Sequence, residues 1–76
     1  MLHKFARAMD PRVHRRFLEY RDLHAAFGAR ADGPPLAYEA FAAADAEQAA
    51  LEAKGDARTD EEEARWAELT RMLHRD

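Results

Sequence analysis

Between Asp10 and Gly28 the apolar positions fall four and three apart: Val13, Phe17, Tyr20, His24 and Phe27. Residues so spaced return to one side of a 3.6-residue helix and form a heptad-like seam. Leu18 and Leu23 widen it. Asp10 offers a capping carboxylate, and Pro11 suits the first helical position, where no amide hydrogen is needed. The pattern predicts a helix over about 10–29. Upstream, Leu2, Phe5, Ala6 and Met9 fall at i, i+3, i+4 and i+7, which predicts a further short amphipathic helix over 2–9.

The stretch "GARADGPP" interrupts the pattern, because Gly33, Pro34 and Pro35 forbid a continuous helix. From about 35 to 54 the spacing resumes at Ala37, Phe41, Ala44, Gln48 and Leu51. Small residues here would let rings of the first helix fill the gap between backbones. Gly55 suits a left-handed residue just past a helix end. A third helix is predicted over 60–74, with Trp66, Leu69 and Leu73 on one side and Met72 beside them. The connection over 55–59 is short, so the second and third helices should form an antiparallel hairpin.

The acidic run Asp60–Glu63 invites a metal or acid/base reading. Consecutive helical residues point about 100° apart, so these carboxylates do not converge. Thr59 followed by Glu62 is instead a capping box, Asp60 with Glu63 offers a second, and the charge suits the positive end of the helix dipole. The run is a helix start.

Composition supports the class. Among 76 residues, 18 are Ala, none is Ser, Asn, Ile or Cys, and only Val13, Thr59 and Thr70 are β-branched. Such a chain forms helix nearly throughout. We therefore expect one all-α domain spanning 1–76, a three-helix arrangement without disulfides or thiolate zinc. Ten Arg against two Lys, with so much Ala, suggests a GC-rich bacterial genome. Large apolar side chains are few for such a domain, and self-association would supply missing burial.

Charge divides the chain into a basic segment, 1–30, and an acidic hairpin, 35–75. Residues 1–30 hold seven Lys and Arg against three acids, and residues 31–76 hold five against twelve. The basic segment could meet nucleic acid, but phosphate binders usually carry net positive charge, and this chain carries −3. Glu19 and Asp22 also interrupt the basic side. The simpler expectation is that basic and acidic parts complement each other, within one chain or between two copies.

Candidate chemistry is sparse. Without Ser or Cys the usual nucleophiles are missing, the three glycines form no phosphate cradle, and so small a fold leaves little room for a pocket. His14 stands four residues from Asp10, but no Glu-x-x-His occurs. His24 should be a core ring bonded to a carbonyl or carboxylate, with His3 and His74 in solvent. We expect no catalytic residue, no metal site and no cofactor. No apolar run reaches membrane-spanning length, and no apolar stretch follows Lys4 and Arg7 as a secretory signal requires. A cytoplasmic location is expected. The functional expectation is a non-catalytic protein–protein interaction or regulatory module, a homodimer. Its contact residues would be Phe17, Tyr20, His24 and Phe27 on the seam, with Arg12, Arg15 and Arg16 for an anionic partner. Nucleic-acid binding by the basic helix is the alternative, and a His/carboxylate metal-binding protein the third.

Overall fold

A computed structural model describes residues 10–28 and 33–75, and the short helix expected over 2–9 lies outside them. Among the described residues the chain is all-α, with three α-helices and no strand. Helix α1 spans Pro11–Leu23 and runs straight into a π-helical turn, His24–Gly28. Helix α2 spans Tyr38–Lys54, and α3 spans Asp60–Met72.

Two of the three starts have a local cause. The Asp10 carboxylate accepts from the Arg12 amide at 2.9 Å, with Pro11 at the first helical position. Thr59 and Glu62 form the reciprocal box: Thr59 Oγ1 accepts from the Glu62 amide at 3.1 Å, and the Glu62 carboxylate accepts from the Thr59 amide at 3.0 Å. The second box is not made, because Glu63 bonds Arg58 instead. Helix α2 begins at Tyr38 rather than 35, with Ala37 as an extended cap that has no side-chain bond. The cause is Tyr20, whose hydroxyl accepts the Leu36 amide at 3.0 Å and holds that residue outside the helix.

The ends differ more from expectation. Gly55 has φ 53°, the positive value anticipated, and leads into a 3-10 turn, Gly55–Ala57. Helix α3 stops at Met72, two residues early, in a Schellman closure. His74 sits at φ 59°, its amide reaches Arg71 O at 3.0 Å, and the Arg75 amide reaches Thr70 O at 2.8 Å. Helix α1 keeps α geometry only to Leu23 instead of to 29.

Helix α2 packs against both α1 and α3. Phe41, Leu69 and Leu73 are the most enclosed side chains. Phe17 and Tyr20 of α1 bring their rings 5.5 and 5.2 Å from that of Phe41, so ring-on-ring packing joins α1 to α2, with Ala44 also buried. Between α2 and α3, Lys54 pairs with Glu62, Glu52 with Trp66, and Gln48 with Thr70. Numbers rise along α3 as they fall along α2.

Candidate functional site

Three polar constructions stand out, and the side chains expected to meet a partner divide among them. The first surrounds Asp45, buried on α2. Its carboxylate accepts from Arg16 Nε and Nη2 at 3.1 and 2.8 Å, and from Arg75 Nη2 at 2.7 Å. Burial pushes this carboxyl up, but the two guanidiniums more than offset that and hold it below the ordinary carboxylate value. Arg75 also donates to Gln48 Oε1 at 3.0 Å, and Gln48 donates to Thr70 at 3.3 Å. Arg16, expected to face an anionic partner, is exposed but its guanidinium is engaged within the chain. Its anion is Asp45.

The second is a histidine clasp. His24 is only 3% exposed, its Nε2 lies 2.6 Å from the Gly33 carbonyl, and its Nδ1 lies 3.0 Å from His74 Nε2. A carbonyl only accepts, so His24 Nε2 carries the hydrogen. With the ring neutral, His24 Nδ1 is then an acceptor, and His74 Nε2–H is the donor. Tyr20 stacks on His74 at 5.6 Å and 18°. The expected backbone-carbonyl bond of His24 is present. His74 is not a solvent residue: its left-handed backbone turns the ring back onto Tyr20 and His24. Nothing in the sequence announces this, since Gly usually marks such a helix end.

The clasp borders a groove of about 560 Å³ lined also by Leu36, Glu68, Arg71 and Met72. A recess of this size was not expected of so short a chain. Both nitrogens of His24 are already engaged, the Tyr20 hydroxyl accepts the Leu36 amide and Glu68 pairs with Arg65, so among the described residues no nucleophile–base pair forms on the lining. Among the described residues no three of His, Cys, Asp and Glu come together as a metal site would require. The Asp10–His14 pair does not form either. Asp10 caps α1, while His14 packs against Phe17 and Tyr38 with its Nδ1 buried and unbonded.

The third is the outward side of α1. Phe17, Tyr20 and His24 are buried in the chain's own core, which corrects their expected place on a partner-facing seam. Phe27 parts from them and is 76% exposed. The π-helical turn explains this. A wider turn advances less than the ~100° per residue of an α-helix, so Phe27 lags out of phase with the seam. It comes round toward exposed Leu23. Arg12, Arg15, Leu18, Glu19 and Asp22 are also exposed on this helix.

No helix among the described residues is long and apolar enough to cross a membrane. Compared with known proteins, the chain matches no family model, no curated protein and no solved structure.

Proposed function

We propose that this protein is a non-catalytic helical interaction module that associates with itself through the outer side of α1. The observation that carries this reading is Phe27, a large aromatic side chain left 76% exposed beside Leu23, with Leu18 exposed on the same helix. An aromatic side chain left this exposed beside a second apolar one is a feature that interaction surfaces favour. Among the described residues the groove's lining pairs no nucleophile with a base, since both His24 nitrogens are engaged and Glu68 pairs with Arg65, which supports a non-catalytic role.

Nucleic-acid binding loses ground on one count. Arg16 is occupied by Asp45, which leaves Arg12, Arg15 and Arg21 to act beside Glu19 and Asp22, an excess of only one positive charge. Phosphate recognition depends on accumulated positive charge. Sedimentation across micromolar concentrations tests the proposal. The native chain should self-associate, and Phe27→Asp should shift it to monomer with unchanged helix content. A native chain that stays monomeric, or salt-sensitive retention on DNA, would overturn it.

A further inference from the structure

The outer side of α1 carries charges in an order that suits a second copy of itself. Arg15 and Asp22 stand seven residues, about two turns, apart on one stripe, with exposed Leu18 near their midpoint. Among the described residues neither Arg15 nor Asp22 takes part in an ion pair. Pro11 and Ala26, both exposed, extend the stripe at its two ends. The stripe points away from Phe17, Tyr20 and His24, so the described residues leave it clear.

From this order we infer that two copies pair α1 against α1 in antiparallel fashion, about a two-fold axis passing between Leu18 and Glu19. This rests on the self-association proposed above and names its surface. A two-fold interface is self-complementary: if residue i meets the partner's j, then j meets the partner's i. With the axis there, Arg15 faces the partner's Asp22, and Asp22 faces the partner's Arg15. Both ion pairs are satisfied at once by one geometry. Leu18 meets the partner's Leu18 close to the axis, and Ala26 meets the partner's Pro11, small groups that allow close approach at the ends.

The flanks agree. Along an antiparallel pair, one side of a helix meets the same side of its partner. Leu23 and Phe27 share such a flank with Arg12, and the axis brings Phe27 over the partner's Arg12. A guanidinium over an aromatic face is an attractive contact, already used within the chain where Arg58 lies 4.7 Å from the Trp66 ring centroid. The two Glu19 carboxylates approach the axis on that flank, with Arg12 and Arg16 within about two turns to temper their repulsion. A parallel pairing would instead set Arg15 beside the partner's Arg15 and Asp22 beside the partner's Asp22, which like charge disfavours.

Charge reversal tests the pairing. Arg15→Glu gives a copy with two acids on the stripe, and Asp22→Arg gives one with two bases. Each alone should raise its self-association constant Kd at least about tenfold, because both symmetric pairs become like-charged. Mixed in equal amounts, the two variants should form a heterodimer with near-native affinity, since every pair is again opposite in sign. Both substitutions favour the helix dipole, an acid nearer the N-terminus and a base nearer the C-terminus, so a melted helix does not mimic the result. Analytical ultracentrifugation with one variant fluorescently labelled reads all three mixtures. Single variants that dimerise as the native chain does would overturn this surface while leaving self-association standing. Variants that fail to rescue one another would overturn the antiparallel order. A native chain monomeric at every concentration would overturn both proposals together.

Discussion

His74 is held in a backbone conformation that favours glycine, and its side chain is the reason it is worth holding there. At φ 59° a residue with a Cβ is strained by about 1 kcal/mol or more. Among the described residues its Nε2–H is the one donor to His24 Nδ1. These two contributions oppose each other and can be separated by substitution. His74→Ala keeps the strain and strips a buried acceptor of its partner, so urea denaturation should show a loss of about 1–3 kcal/mol. His74→Gly loses the same bond but relieves the backbone, and should be more stable than the Ala variant by about 1 kcal/mol. Equal stabilities would mean the left-handed turn carries no strain. Nitrogen NMR should find both rings as Nε2–H tautomers.

The starts of α1 and α3 were legible in the chain because each is signalled within a few residues, whereas that of α2 depends on Tyr20, sixteen residues from Leu36. Asp10 with Pro11, and Thr59 with Glu62, stand where the structure uses them. Interruptions were legible too, and Gly55 is the plainest. An added Cβ at Gly55 would meet no atom within 4 Å, so its positive φ alone sets the cost of substitution. Gly55→Val should destabilise the fold by about 1–3 kcal/mol, read from thermal or urea melts. A β-branched residue is a poor fit there even in open space. Helix phase was less legible. The seam from Val13 to His24 kept its spacing, but extending it to Phe27 assumed ~100° per residue through a segment that turns more widely. Nothing in "HAAFG" marks that change, because a π-helical turn is rare and carries no local residue signature comparable to a cap. Phe27 is displaced as a result.

At the scale of the whole molecule, Asp45 joins three parts of the chain through Arg16 on α1 and Arg75 beyond α3. These partners lie 29 and 30 residues away, a separation that local pattern does not encode. Charge segregation told that basic and acidic parts would meet, but not which residues. The clasp between His24 and His74, 50 residues apart, was hidden for the same reason. Since Asp45 is held below its ordinary value in the fold, its contribution to stability is complete above the unfolded value, near pH 4, and is lost as pH falls through the folded value. Asp45→Asn should therefore be less stable than the native chain at pH 7 by about 1–3 kcal/mol. The gap should narrow steadily as the medium is acidified below about pH 4, in parallel urea titrations. A gap that is constant with pH would mean the carboxylate charge is not what binds the two arginines.

The enclosure of Phe41, Leu69 and Leu73 carries a consequence in time. A ribosome makes the chain from its N-terminus at roughly 5–20 residues per second. Helices α1 and α2 are thus complete about one to three seconds before Leu69 to Arg75 are even polymerised. Through that interval Phe41, Tyr20 and His24 lack the residues that later cover them, and Asp45 lacks one of its two cations. Folding to the enclosed form must wait for the last turn of α3 and the residues just past it, so the N-terminal half cannot close its core ahead of the C-terminal one.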